Sequence, residues 1–180
     1  GRSLLQQTRF QLYVVSLQTT KAPASVGPTI RTAHSLLADT TAAVEEAYVN
    51  LVLALAGAPD LCLCHLTSTH DGLAVARAFR RVAGGGVKFA GGTSCRGVMT
   101  EKGYHSNDGT ALALWGLRKG SRDAAVGVGG RAAGDDPAAA AKAAAEEALA
   151  ALDGRPADVL WLVGTPGNEE AVLRGIAEAT

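Results

Sequence analysis

The sequence lacks both an excess of charge of either sign and a supply of aromatic side chains. Lys and Arg together number 17, as do Asp and Glu, and aromatic residues make up 4% of the 180 residues. A nucleic-acid-binding domain normally has a basic patch or aromatic rings on which bases stack. We therefore expect no nucleic-acid partner and no general attraction to an anionic membrane.

Cysteine is scarce, with only three in the chain: Cys62, Cys64 and Cys95. Three thiols at these spacings do not form a disulfide framework, and no secretory signal is recognisable, so we expect an intracellular, cytoplasmic compartment. Cys62 and Cys64 alternate along an apparent strand and are expected to be packed thiols. His65 follows Cys64 and points to the opposite face, so this segment is not expected to bind zinc.

Long hydrophobic runs are also missing. The most apolar stretch, residues 47–66, is interrupted by Asn50, Pro59 and Asp60. A membrane-spanning helix needs about 20 consecutive apolar residues, so no transmembrane segment is expected.

Acidic residues are absent before Asp39, whereas Arg2, Arg9, Lys21 and Arg31 precede it among Ser, Thr and Gln. This composition resembles an organelle transit region or its remnant, which would place the chain in a plastid or another organelle; the alternative is an ordinary loop. We predict an N-terminal arm over 1–38, which could add an edge strand at its β-prone segment 13–15 or lie on a partner. A single α/β domain is predicted over 39–180.

The remaining pattern predicts a layered mixed sheet of about five strands with flanking helices. Predicted strands cover 61–66, 87–90, 111–117, 124–128 and 158–163. Predicted helices cover 39–56, 68–82, 136–152 and 165–176. The strand–helix–strand unit over 61–90 predicts parallel pairing, and the polar link 119–122 predicts an antiparallel hairpin between the third and fourth strands.

Four sequence signals predict where the helices begin. Thr40 or Thr41 is the expected cap of the first helix, and Ser68 forms a capping box with Asp71 at the second. Asp136 followed by a proline is a typical start of the third, and Thr165 with its following proline predicts the start of the last.

Three loops follow predicted strands at the ends where open α/β sheets bind ligands: 67–71, 91–97 and 164–169. If those strands are neighbours, polar side chains converge on one rim able to hold a carboxylate or phosphate. The ligand-binding candidates are Ser68, Gly91, Gly92, Thr93, Ser94, Cys95, Arg96, Gly97 and Thr165. For Ser68 and Thr165, helix capping is the competing explanation.

The glycine-rich segment 91–97 is the strongest of these candidates. Its glycines permit close backbone approach, and Arg96 can pair with an anion through two hydrogen bonds. The spacing matches neither a P-loop nor a dinucleotide fingerprint, so no nucleotide cofactor is expected.

Catalysis is not expected, although Cys95 beside Arg96 could have a lowered pKa. A cysteine nucleophile needs a base held in place, and His65, His70 and His105 show no recognisable partner spacing. An enzyme using Cys95 is therefore the third hypothesis.

The order of motifs resembles the N-terminal half of a FIST domain, an intracellular sensory module, over about residues 40–180. The segments that carry the resemblance are 43–47, 59–63, 91–99, 111–117, 125–129 and 158–179. The resemblance implies a non-catalytic domain of signal transduction that binds amino-acid-like ligands, with 91–97 as the ligand loop. The alternative is a structural subunit of a larger, organellar (chloroplast) protein complex.

Overall fold

The computed structural model describes residues 28–119, 124–132, 134–164 and 166–180, and the backbone alone for 9–17 and for residue 124. In chain order the elements are β1 (Arg9–Leu17), β2 (Thr29–Ser35), α1 (Thr40–Leu55), β3 (Leu61–Thr67), α2 (Gly72–Ala83), β4 (Lys88–Ser94), β5 (Val98–Thr100), β6 (Gly103–His105), β7 (Leu112–Arg118), β8 (Ala124–Ala132), α3 (Pro137–Ala150), β9 (Val159–Val163) and α4 (Glu169–Ala179). The predicted α/β class with a mixed sheet and flanking helices is confirmed.

The chain divides into two compact units. One contains a four-stranded mixed sheet in the order β2-β7-β3-β4, in which only β3 and β4 are parallel. The predicted parallel pairing of the strand–helix–strand unit is therefore confirmed. Helices α1 and α2 contribute buried side chains to one core with alternate residues of the strands, including Leu51, Cys62, Cys64, Phe79 and Leu114.

The other unit contains a three-stranded antiparallel sheet in the order β8-β1-β9, together with α3 and α4. The alanine-rich sequence of α3 allows close packing: Ala141, Ala144 and Ala145 are buried in a cluster with Val172 and Ile176 of α4. Small side chains at a helix contact let two elements approach closely.

The predicted hairpin between the third and fourth strands is wrong. These strands are β7 and β8, and they belong to different sheets. β7 has a partner on each side, β2 and β3, while β8 pairs with β1. The two N-terminal strands thus take the hydrogen-bonding edges that the prediction assigned to the hairpin.

The β-prone segment 13–15 lies within β1, which is the middle strand of its sheet rather than an edge strand. β2, also within residues 1–38, pairs along its whole length with β7. Placing the domain boundary after residue 38 stays a prediction. Among the described helices, none combines the length and the apolar character that a membrane span needs.

Aspartates, rather than the predicted hydroxyl residues, cap the first two helices. Asp39 accepts a hydrogen bond from the Ala42 amide, and Asp71 accepts one from the Ala74 amide, both at 2.7 Å. The cap predictions at Thr40, Thr41 and Ser68 are therefore wrong. Asp39 lies one residue before Thr40, and Asp71 lies three residues after Ser68. At these positions each carboxylate reaches a free amide in the first turn of its helix.

The other two helix starts gave one confirmed and one wrong prediction. Asp136 caps α3 as predicted, accepting from the Ala139 amide at 3.0 Å, with proline at the first turn. α4 begins at Glu169 after Asn168, later than the predicted start at residue 165. Pro166 lies in a turn before the helix.

We expect Asp71→Ala to lower the free energy of unfolding by about 1 kcal/mol, because the Ala74 amide in the first turn loses its acceptor. Ser68→Ala is the matched control and should change it by a few tenths at most, since the exposed Ser68 does not cap α2. Urea denaturation of both variants measures the difference. A larger loss in the Ser68 variant would contradict the observed cap.

Candidate functional site

The predicted glycine-rich loop is shorter in the structure than in the sequence analysis. Residues 91–94 belong to β4, where Gly91 aligns with Cys64 and Ser94 with Thr67 of β3. The loop prediction over 91–97 is therefore wrong in extent, because parallel pairing with β3 continues through the glycines. The turn itself consists of Cys95, Arg96 and Gly97.

Sheet packing, rather than a ligand, accounts for Gly91. A Cβ atom at this position would lie 2.0 Å from the backbone carbonyl oxygen of Cys64. No side chain fits at that distance, so the close approach of β3 and β4 requires glycine. Gly92 aligns with His65 in the same register.

The turn is fixed by hydrogen bonds to its main-chain carbonyls. The Arg96 carbonyl accepts from the Tyr104 hydroxyl at 3.0 Å and from the Ser106 hydroxyl at 2.6 Å. Inside the turn, the Ser94 hydroxyl donates to the Gly97 carbonyl. These contacts hold the turn against the hairpin that β5 and β6 form.

Gly97 is required by the same arrangement. A Cβ atom there would lie 2.3 Å from the Tyr104 hydroxyl oxygen. The buried glycine therefore lets the tyrosine ring lie across the turn. Like Gly91, it has a structural explanation.

The exposed residues of this segment are Thr93, Cys95 and Arg96. Arg96 presents a guanidinium to solvent from a turn whose backbone is held on both sides. This arrangement suits contact with an anionic group, because an arginine on a fixed backbone loses less conformational freedom when it pairs.

The structure brings together two of the three loops predicted to form one rim. Thr67 and Ser94 are register partners, so the segments beginning at Ser68 and Cys95 leave neighbouring strands at the same end. The third loop follows β9, which belongs to the other sheet, so the premise of three neighbouring strands is wrong. Thr165 lies outside the described residues.

Thr67, absent from the predicted site, holds the strand ends together. Its buried hydroxyl accepts from the Ala111 amide at 3.0 Å and donates to the Ala111 carbonyl at 3.1 Å. The Thr69 hydroxyl lies 2.8 Å from the Thr67 hydroxyl. A local sequence pattern does not reveal a bond to a residue so distant along the chain.

Two of the three cysteines are buried in the core. Burial raises the pKa of Cys64 to about 12 and that of Cys62 well above its ordinary value. Both thiols are therefore protonated at neutral pH and poor nucleophiles. Cys95 is a free, exposed cysteine.

The contacts described for His70 and His105 are with threonine hydroxyls and with another histidine ring. His70 Nδ1 lies 3.0 Å from the Thr40 hydroxyl, and His105 Nε2 lies 2.7 Å from the Thr100 hydroxyl. The ring of His105 also stacks on that of His34, a residue outside every predicted motif. Across the described ranges, no group of three His, Cys, Asp or Glu residues is placed to hold a metal ion.

A separate open cavity of about 620 Å³ lies at the ends of α3 and α4, lined by residues such as Leu149, Pro156 and Ala179. None of the predicted site residues lines it. Its two charged lining residues, Arg155 and Asp158, already have interactions. The turn at 95–97 therefore remains the candidate site.

We expect Gly97→Ala to lower the free energy of unfolding by about 1 kcal/mol, because the tyrosine ring must move and lose its bond to the Arg96 carbonyl. In a Tyr104→Ala background the same substitution should cost little. Gly91→Ala is the contrasting variant, since the Cys64 backbone cannot move aside. Urea denaturation of the double-mutant cycle measures the coupling, and strictly additive losses at positions 97 and 104 would contradict it.

The family comparison agrees with the order of elements. The family model described as FIST N domain matches residues 60–180, from the start of β3 through α4. The comparison with curated proteins gives no match. The matched region includes β3 and β4, whose ends meet at the candidate turn, and the β5–β6 hairpin that holds the turn. It also includes the helices α3 and α4. The chain belongs to the FIST N domain family.

Proposed function

We propose that this chain is a non-catalytic sensory domain that recognises the carboxylate of an amino-acid-like ligand, or of a protein partner, at the turn 95–97 and the adjoining end of β4. FIST domains are a sensory domain family, which supports a role in signal sensing. The observation that carries the proposal is the exposed Arg96 side chain on a turn whose own carbonyl accepts two hydroxyl hydrogen bonds.

Arg96 is the proposed anchoring residue, because a guanidinium pairs with a carboxylate through two parallel hydrogen bonds. Thr93 and Ser68, both exposed at the neighbouring strand ends, are proposed to supply further hydrogen bonds. Gly91, Gly92, Ser94 and Gly97 act by shaping the turn. Cys95 lies beside Arg96 as an exposed residue of the same surface.

The thiol and histidine environments support a role without catalysis. The buried cysteines have raised pKa values, and no described histidine hydrogen-bonds Cys95. A cysteine nucleophile needs a base oriented toward it. Binding of a carboxylate at the turn needs no such base.

A second function, docking as a structural subunit in a larger complex, is favoured by one specific observation. Met99 and Tyr104 are cross-strand partners beside the turn and remain 76% and 63% exposed. Methionine and tyrosine are enriched in protein interfaces. A chloroplast or another organelle, reached after removal of a transit peptide, is the proposed setting of this alternative. The cytoplasm is the proposed setting of the first function.

Thermal unfolding of the full chain tests small-ligand binding. Amino acids and small carboxylates at millimolar concentration should raise the melting temperature, since ligand at ten times its Kd stabilises by about 1.4 kcal/mol. Arg96→Gln should abolish that shift while leaving the unliganded melting temperature unchanged. Arg77→Gln, which removes an exposed arginine from α2, is the matched control and should respond like the parent chain. An equal shift in the Arg96 and Arg77 variants would contradict the assignment.

Cross-linking from Cys95 tests a protein partner. Because Cys62 and Cys64 are buried, a thiol-directed photo-cross-linker should label Cys95 selectively in the native protein. Illumination in extract should join the chain to one defined partner, and Cys95→Ser should lose that product. A labelled chain that stays monomeric, together with a carboxylate-induced melting shift, would exclude the docked-subunit function.

A further inference from the structure

Two histidines join the hairpin to the edge of the four-stranded sheet. The ring of His34, on β2, stacks on the ring of His105, on β6, with centroids 3.6 Å apart and planes inclined by 16°. A second contact holds the His105 ring, since its Nε2 atom lies 2.7 Å from the Thr100 hydroxyl. Such parallel stacking suits two neutral imidazoles, whereas two imidazolium ions at this separation would repel each other.

Charged groups around His34 come from the hairpin and from α1. Burial is the largest influence on the pKa of His34 and lowers it. His105 and Lys102 on the hairpin lower the pKa further, while Glu46 on α1 and Glu101 on the hairpin raise it. The Glu46 carboxylate additionally accepts a hydrogen bond from the hydroxyl of Ser35, the residue that follows His34 on β2.

The hairpin that His105 belongs to also holds the candidate turn. Val98, the register partner of His105, is buried in a small cluster with Ala111 and Ala113. Tyr104, the residue before His105, donates its hydroxyl hydrogen to the Arg96 carbonyl. Movement of β6 away from the sheet would therefore release one of the two hydrogen bonds to the Arg96 carbonyl.

We propose that the His34–His105 stack is a proton-sensitive latch, which holds the hairpin on the sheet at neutral pH and releases the hairpin and the Arg96 turn on acidification. The latch is a regulatory device for the proposed recognition surface, and only its consequence for binding rests on the proposed function.

The direction follows from the pKa of His34. An unperturbed histidine has a pKa of about 6.5, and His34 in the folded chain lies below that value. The released or unfolded state therefore takes up a proton first as the pH falls through about 6.5. The stack is fully formed above that pH. It is lost progressively as the pH falls toward the lowered pKa of His34 in the folded chain.

Hydrogen exchange of the full chain at about pH 7 and about pH 5, corrected for intrinsic rates, tests the latch. Amides of residues 96–106 should exchange several-fold faster at the lower pH, because the released hairpin takes up the proton that the stacked His34 resists. His34→Phe preserves a stacked ring without the buried titrating group and should remove the pH dependence. His105→Phe removes one of the charges that face His34; it should weaken the dependence and serves as the second variant should the first fold poorly.

His70→Gln is the matched control, since it removes a titrating histidine that bonds to Thr40 rather than to the hairpin. It should leave the acid-dependent exchange of 96–106 intact. Unchanged hairpin exchange between the two pH values, or equal acid dependence in His34→Phe and the parent chain, would overturn the latch.

Carboxylate binding, measured in the same samples, separates the two proposals. Acid-dependent hairpin exchange without any carboxylate-induced stabilisation supports the latch and contradicts the proposed ligand. Carboxylate binding with exchange that does not respond to pH contradicts the latch and leaves the proposed function supported.

Discussion

The carbonyl oxygen of Arg96 is the point on which the candidate site depends. It accepts hydroxyl hydrogen bonds from Tyr104 and Ser106, so a main-chain group that would otherwise face water is held by the hairpin. Gly97 makes this geometry possible, because any larger residue would collide with the tyrosine ring. The backbone of the turn is thereby fixed while the Arg96 guanidinium stays in solvent. That separation of a held backbone and an available charge is what the proposed recognition requires.

The glycines of the segment have a different meaning from the one that a ligand loop suggests. Gly91 lets β4 approach the Cys64 carbonyl, and Gly97 accommodates Tyr104. Glycine is commonly read as a sign of backbone approach to a ligand, but approach of one strand or ring to another demands the same residue. The chemistry of the site therefore resides in the exposed Thr93, Cys95 and Arg96, and the glycines determine its shape.

The sequence predicts the elements with strong local signals and misses those that depend on distant partners. β3, β4, β7 and the proline-started helix α3 were predicted because apolar runs and an aspartate–proline pair are local. β2 was not predicted and the predicted β7–β8 hairpin was wrong, because each of these strands pairs with a strand that is distant in the sequence. The capping aspartates lie within three residues of the predicted Thr40 and Ser68, in segments where several polar side chains could cap the helix. The His34–His105 stack has no sequence signal, because only the fold brings those rings together.

The central claim is that the turn is a fixed surface rather than a mobile loop. Backbone ¹⁵N relaxation of the full chain measures this most directly at residues 95–98. The account predicts order parameters of about 0.85, as for strand residues, because the Arg96 carbonyl and Gly97 are held by the hairpin. Order parameters below about 0.6 across these residues would contradict it.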